Sequence, residues 1–325
     1  MYSKNLNIYR LMEDNTLSII KTVLFLALVL CIPNYLYAQD VVLYGAAAQS
    51  CAGTPGGAGP SLLYSINPDT GDMQPIGAIG FDGVTGLEVL PDGRLIGTAK
   101  QGNDLGLLIQ INPVTGRGSL IGVLGDFNNP GECVRFPDLA YDNATDTLYA
   151  TGFFCNGLSR SIFTIDPNTA EATLIGETTF TGGGLGLAMR SDGTLFHSSL
   201  SNENLSFYTI NLNTGAGTLI GTIDANIPPV QRLNVNSMDF HPITGELFGS
   251  STEGDTGIST SYLVTIDEDL PSVSLVGQGV DCFDALVFAT EPEPIPALST
   301  WGIMAVVVAF AVASIFYIRK RRAVA

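Results

Sequence analysis

The sequence predicts an all-β protein, a five-bladed β-propeller whose last strand completes the first blade. Three observations carry this expectation. A strand–turn–strand unit recurs five times along the chain. A second hairpin lies between successive copies. The composition, with 37 Gly, 17 Pro and only 14% charged residues in 325, favours strands and turns over helices.

The unit reads Leu63-Tyr64-Ser65-Ile66-Asn67-Pro68-Asp69-Thr70-Gly71 in its first copy and Leu108-Ile109-Gln110-Ile111-Asn112-Pro113-Val114-Thr115-Gly116 in its second. The other three copies run from Ile162 to Ala170, from Phe207 to Gly215 and from Tyr262 to Leu270. Pro presets φ at a turn position and Gly accepts positive φ, so strand, Asn-Pro-x-Thr-Gly, strand is a hairpin. The anchoring Ile66, Ile111, Ile165, Ile210 and Ile266 are 45, 54, 45 and 56 residues apart, the size of a propeller blade. Eleven residues after each stands a glycine: Gly77, Gly122, Gly176, Gly221 and Gly277.

The second hairpin pairs a leading strand with a descending one. The leading strands are Gly86–Val89, Asp138–Tyr141, Gly186–Met189 and Ser237–Phe240, and the descending ones begin at Leu95, Leu148, Leu195 and Leu247. The first copy has a descending strand at Leu43 but no leading one. The segment Cys282–Phe288 is spare at the other end and would fill that gap, closing the ring and removing its exposed edges.

Both ends of the chain read as targeting segments. Lys21 opens an apolar run, Val23 to Ile32, which Pro33 breaks before Leu36-Tyr37-Ala38. A positive flank, a short apolar stretch and a terminal small residue describe a secretory signal helix, cut after Ala38. The alternative is an uncleaved N-terminal anchor. At the other end, Trp301 to Ile318 is free of charge and spans about 27 Å as a helix, close to the ~30 Å hydrocarbon core. Arg319-Lys320-Arg321-Arg322 would hold the C-terminus inside as a basic stop.

Ile295-Pro296-Ala297-Leu298-Ser299-Thr300-Trp301-Gly302 stands just before that span. With the apolar helix and the basic cluster, it resembles the bacterial IPTL-CTERM sorting tail, with Ala297 where the motif has Thr. The resemblance covers about a tenth of the chain. It implies an exosortase-type processing protease as partner and removal of the helix. The expected organisation is a signal peptide at 1–38, a propeller domain at 39–290, a spacer and sorting motif at 291–300, a transmembrane helix at 301–318 and a basic cytoplasmic tail at 319–325.

Charge narrows the partners. Residues 39–318 hold 7 Lys and Arg against 29 Asp and Glu, a net of −22. Such a surface repels nucleic-acid phosphates and anionic lipid heads. It suits cations, basic partners or solubility outside the cell.

Four cysteines remain after the signal, an even number in an exported chain, so disulfides are expected, with four buried free thiols as the alternative. Cys133 and Cys155 sit symmetrically about Ala144 in the third hairpin turn. Cys51 follows the first descending strand and Cys282 opens the spare one. The fold therefore predicts Cys133–Cys155 and Cys51–Cys282. The second would close a loop of more than 200 residues, worth about 4–5 kcal/mol in the chain-entropy picture.

Signals for catalysis are sparse. His197 lies within a strand and His241 beside a turn, and both read as packed or hydrogen-bonded residues. No zinc spacing, nucleophile elbow or phosphate loop occurs. Asp142, Asn143 and Asp146 crowd one turn, and Asp126, Glu132 and Asp138 precede the same hairpin; Asp142 and Asp146 are the candidate metal ligands, with Ca2+ the ion such oxygens suit, or else these are solvated surface turns. No cofactor is otherwise expected. The segments 124–138, 52–60 and 222–236 should meet on one face, where a ligand is expected. The leading functional expectation is an exported, membrane-anchored or sorted cell-surface binding module. The alternatives are a propeller lyase or hydrolase using acidic residues, and a structural component of an extracellular matrix.

Overall fold

A computed structural model describes residues 41–48, 59–101, 105–124, 134–154, 160–178, 186–201, 204–253 and 260–290. The described residues belong to one compact unit, Val41–Glu291. The signal run, the sorting motif, the span 301–318 and the basic stop lie outside the described residues. Among the described residues no helix is long and apolar enough to cross a membrane.

The described residues form twenty strands. The first six are β1 (Val41–Ala47), β2 (Pro60–Ile66), β3 (Met73–Val89), β4 (Leu95–Gln101), β5 (Leu105–Ile111) and β6 (Gly118–Leu124). Then come β7 (Val134–Arg135), β8 (Leu139–Asp142), β9 (Thr147–Phe154), β10 (Arg160–Ile165) and β11 (Ala172–Glu177). Next are β12 (Leu187–Met189), β13 (Leu195–Ser201), β14 (Asn204–Ile210) and β15 (Gly217–Asp224). The last are β16 (Leu233–Phe240), β17 (Leu247–Glu253), β18 (Ser261–Asp267), β19 (Ser272–Gln278) and β20 (Phe283–Thr290).

Hydrogen bonds gather them into antiparallel sheets of seven, five, four and four strands. The two four-stranded sheets are simple meanders, β12 to β15 and β16 to β19. The seven-stranded sheet runs β20-β1-β2-β3-β4-β5-β6. Strand β20 pairs along the whole of β1, from Val41↔Thr290 to Ala47↔Phe283. The spare segment thus supplies the leading strand that the first repeat lacks.

Two details differ from the sequence expectation. The outer strand of the first repeat and the inner strand of the second are one bent strand, β3. Its first part pairs with β2 and residues 86–89 pair with β4, while Asp82 has a rung on both sides. Gly80 and Gly83, at φ +83° and +53°, turn the chain there without a separate loop. The third repeat also carries an extra rung pair, β7 on the far end of β9.

The recurring turn is closed the same way in the first four copies, while in the fifth Pro271 stands at the Gly71 position and Asp267 Oδ1 accepts from Asp269 and Leu270 N–H. In the first copy Asn67 N–H donates to Asp72 O (2.9 Å), and Gly71 N–H donates to Asn67 O (2.8 Å). Asn67 Oδ1 accepts from Asp69 N–H at 2.9 Å, an Asx turn.

Apolar burial falls into five clusters, each shared by two successive repeats. Leu63, Ala46 and Val287 of the first meet Leu87, Leu95 and Ile109 of the second. Leu108 meets Leu139 and Phe163. Ala140 and Ile162 meet Leu187 and Leu195. Leu205 and Phe207 meet Val235, Met238 and Val264. Phe248 and Leu263 of the fifth meet Leu43, Ile66 and Phe283 of the first. The pairings run in a closed cycle, giving a propeller-like all-β fold.

The offset-eleven glycines explain themselves at the outer rim. A Cβ on Gly77 would lie 2.2 Å from Thr115 O, in the turn of the next repeat. On Gly122 it would meet Thr169 O at 2.8 Å, on Gly176 Thr214 O at 2.1 Å, and on Gly277 Thr70 O at 1.9 Å. On Gly221 it would meet the Pro271 ring at 2.9 Å. Each glycine lets the hairpin turn of the following repeat rest on its backbone, and the fifth rests against the first.

Candidate functional site

The inner strands are β20, the end of β3, β8, β12 and β16, and each touches the next around the axis. On equivalent rungs they carry Ala285, Gly86, Asp138, Gly186 and Ser237, set against Ala46, Thr98, Thr151, Ser198 and Ser250. Four of the five are small, which leaves room at the axis for one carboxylate.

Asp138 fills it. Its Oδ2 accepts from Leu187 N–H (2.7 Å) and Met238 N–H (3.1 Å), and its Oδ1 accepts from Ser237 Oγ–H (2.9 Å). Ser237 Oγ in turn accepts from Leu286 N–H at 3.2 Å. Inner edges of sheets leave N–H groups unpaired, and an unpaired buried donor is costly. Asp138 satisfies two such edges at once. It is fully buried, and burial pushes its carboxyl well above the usual range, against the pull of these donors.

Two rungs further along stand Glu88, Ala140, Ala188, Asp239 and Val287. Glu88 accepts from Tyr141 N–H and Asp239 from Phe288 N–H, at 2.8 and 2.7 Å. Burial raises both carboxyls, Asp239 to about 7, and the charge of Asp239 pushes Glu88 up further. The axis is therefore filled with carboxylates that cap neighbouring strand edges.

The opposite end, where the inner strands begin, is a polar mouth. Asp284 Oδ1 accepts from Asn236 Nδ2 at 3.1 Å, and that amide also donates to Thr252 Oγ1 at 3.1 Å. Asn236 Oδ1 accepts from Asn234 Nδ2 at 2.7 Å. Asn234 Oδ1 ends the chain, buried and without a hydrogen-bond partner among the described residues. Burial pushes the Asp284 carboxyl up to about 7, against the lowering effect of Lys100 and Asn236. Burial also lowers the Lys100 ammonium, helped by the like charge of Arg135 and opposed by Asp82 and Asp284. The Lys100 stem lies over Gly83, where a Cβ would come within 2.6 Å of Cε. These residues come from four different repeats.

Arg135 and Asn236 belong to the described parts of segments 124–138 and 222–236, two of the three expected to converge; the third, 52–60, and the rest of the first are largely undescribed.

The candidate metal ligands are occupied locally. Asp142 is buried, and its oxygens accept from its own turn, Ala144 N–H at 2.8 Å and Thr145 Oγ–H at 2.7 Å. Asp146 is exposed and accepts from the Tyr141 hydroxyl. Burial first, then that bond, raises the Tyr141 hydroxyl to about 12. Among the described residues no group of three or more His, Cys, Asp or Glu could hold a metal ion.

Neither histidine reaches the mouth. His197 is fully buried and held neutral, its ionisation pushed down to about 3 by burial and then by Arg160. His241 Nδ1 accepts from Ile243 and Thr244 N–H, capping its turn. Cys282 is buried and disulfide-bonded. Cys51, Cys133 and Cys155 lie outside the described residues, so neither pairing is fixed.

Of the axis carboxylates the sequence singles out Asp138 alone, as a candidate oxygen ligand beside Asp126 and Glu132; Glu88, Asp239 and the mouth were not singled out. The signal available was a break in the repeat: one Asp among four small residues at an equivalent strand position.

No family model and no curated protein matches this chain. Solved structures do. A chain of the nidogen/laminin complex gives a TM-score of 0.46 at 9% identity, over 77% of this chain and 98% of that one. The Pseudomonas aeruginosa periplasmic gluconolactonase gives 0.41 at 16%, over 82% and 74%. A GH43 β-1,3-galactosidase gives 0.47 at 10%, over 71% and 89%. Likenesses this weak say nothing about ligand or chemistry.

Proposed function

We propose that this chain is an exported protein held at or released from the cell surface, with a five-bladed β-propeller that binds a ligand at the mouth of its axis. The count of five is supported by the cycles of apolar clusters and rim glycines, each returning from the fifth repeat to the first. Export and sorting are supported by the signal run ending at Ala38 and by the motif, apolar span and basic stop from Ile295 to Arg322. An exosortase-type protease would then be the processing partner and the C-terminal helix the membrane anchor.

Binding at the mouth is carried by one observation. Asp82 and Lys100, rung partners on neighbouring strands, meet Arg135, Asn236 and Asp284 there from three other repeats, so ring closure assembles them and no single turn does. A second reading, a hydrolase or lyase, is favoured by the Asp284 carboxyl near 7, which suits proton transfer at neutral pH.

Two measurements test this. Intact mass of the protein from an exporting host should show a start at Gln39; a retained Met1 would refute cleavage. A thermal-shift screen of that protein against glycans and divalent cations should give a ligand whose effect disappears in Asn236→Ala. A ligand indifferent to that substitution would place binding elsewhere.

A further inference from the structure

The hairpin turns lie on the face opposite the mouth, and two repeats depart there from the common pattern. Three residues after each anchoring Ile stand Asp69, Val114, Asn168, Asn213 and Asp269, and four after it stand Thr70, Thr115, Thr169, Thr214 and Leu270. Each position is polar in four repeats, so the turn itself does not ask for an apolar residue. Val114 and Leu270 are 82% and 76% exposed and bury nothing in their own repeats. Among the described residues seven large apolar side chains are exposed, and five belong to the second and fifth repeats: Val114, Leu120, Val123, Ile243 and Leu270. Charge departs in the same two repeats. Six residues after the anchoring Ile stand Asp72, Arg117, Glu171, Ala216 and Ser272, and Arg94 and Glu246 stand just before Leu95 and Leu247. In the turns of the second repeat Arg94 and Arg117 outweigh Asp92, whereas those of the fifth hold Glu246, Asp267, Glu268 and Asp269. Arg94 is engaged by Asp92 and the third repeat, and Glu268 and Asp269 by Arg190. Arg117 and Glu246 are exposed, and among the described residues neither side chain has an ion pair. An open groove runs between the two turns in each case. It is about 360 Å³ in the second repeat, lined by Arg117 and Gln110, and about 310 Å³ in the fifth, lined by Glu246 and Thr265.

We propose that copies of this chain associate through these turns, the second repeat of one copy seated on the fifth repeat of the next. The two sides match in both chemistries. Each offers exposed aliphatic residues beside an equivalent groove, one with the spare cation Arg117 and the other with the spare carboxylate Glu246. Contact with a different protein asks for one such surface. Contact between copies asks for two that fit each other, and both are present on one chain. The third repeat is as acidic, with Asp142, Asp146, Asp166 and Glu171, but its turns expose no large apolar side chain. Because the two surfaces differ, the contact is heterologous, and each copy keeps one free surface of each kind. It therefore builds a series or a ring of copies rather than a two-fold pair. The mouth lies at the other end of the inner strands and stays open, so the inference does not depend on what the mouth binds.

Sedimentation of the purified, exported protein tests this. Its average mass should rise with concentration up to about 100 μM and fall back in high salt, which screens exposed charges. Arg117→Glu and Glu246→Lys should each weaken the association about tenfold, as like charges set face to face require. An equimolar mixture of the two variants should regain it, since each then meets the opposite charge on the other. Val114→Asp and Leu270→Thr install residues that other repeats carry at those positions, and together they should also weaken it about tenfold. Melting temperatures unchanged from the parent protein would show that the variants are folded. A parent protein that stays single throughout that range would overturn self-association. Association indifferent to Arg117→Glu and to the Val114 and Leu270 substitutions, as one through the apolar C-terminal stretch would be, would overturn this surface. Weakened variants that the mixture does not restore would overturn the pairing of the second repeat with the fifth.

Discussion

At the rim, Gly77, Gly122, Gly176, Gly221 and Gly277 do one job five times, each receiving the next repeat's turn on bare backbone. At the axis, Gly86, Asp138, Gly186, Ser237 and Ala285 hold equivalent rungs and do different jobs. The rim contact involves only a backbone surface, so any repeat can supply it and all must. The axis is a single space shared by five strands, so one large residue there forces the others to be small. Repetition belongs where each repeat meets its neighbour, and individuality where all five meet at once.

The largest expected effect is at the rim. Gly277→Ala would set a methyl 1.9 Å from Thr70 O at the fifth-to-first contact, and neither backbone can retreat without parting the ring. The overpacking cost should exceed the usual ~1–3 kcal/mol and leave little folded protein by circular dichroism. Gly221→Ala meets only a proline ring carbon at 2.9 Å and should cost about 1 kcal/mol or less. Equal effects of the two would break the rim rule.

Asp138→Ala should come next. It strands the Leu187 and Met238 N–H groups and the Ser237 hydroxyl, at about 1–3 kcal/mol for each buried donor. Chemical denaturation should register several kcal/mol. Asp138→Asn keeps one acceptor oxygen and should fall between the two.

A third effect is pH dependence. Asp239 and Asp284 titrate near 7 in the folded chain and near 3.8 when unfolded. Between those values the folded state keeps protons that the unfolded state has lost, so stability falls as pH rises from about 4 to 7 and levels beyond. The melting temperature should follow that course, and Asp284→Asn should flatten it. A melting temperature rising from pH 5 to 8 would contradict the buried, proton-holding axis.

The smallest effect is at a half-buried brace. Arg94→Ala removes a partly solvated ion pair with Asp92 and the hydrogen bonds to Pro167 O and Asn168 Oδ1, and should change stability by about 1 kcal/mol.

How much of this was legible in the sequence follows the same division. The hairpins, the five glycines and the spare strand, read at Cys282–Phe288 and found at Phe283–Thr290, could be read because repetition makes a signal out of position. The continuity of β3 could not, since Gly80 and Gly83 look like a loop and instead bend an unbroken strand. The axis was harder. Asp138 is one acid among 31 acidic residues, and only alignment of the five inner strands shows its neighbours to be small. Asp142 was legible as a turn carboxylate beside Asp146, but not that its oxygens accept from its own turn. The mouth joins Lys100 to Asp284 across 184 residues, a meeting that only ring closure produces.

Ring closure is therefore the central claim, and disulfide mapping of the unreduced exported protein tests it most directly. The rungs Arg135↔Phe153 and Val134↔Phe154 lead towards Cys133 and Cys155, and Ala48 N–H donates to Cys282 O at 3.2 Å, three residues before Cys51 in sequence. The prediction is two linked peptide pairs, Cys133–Cys155 and Cys51–Cys282. A link from Cys282 to Cys133 or Cys155 would contradict it.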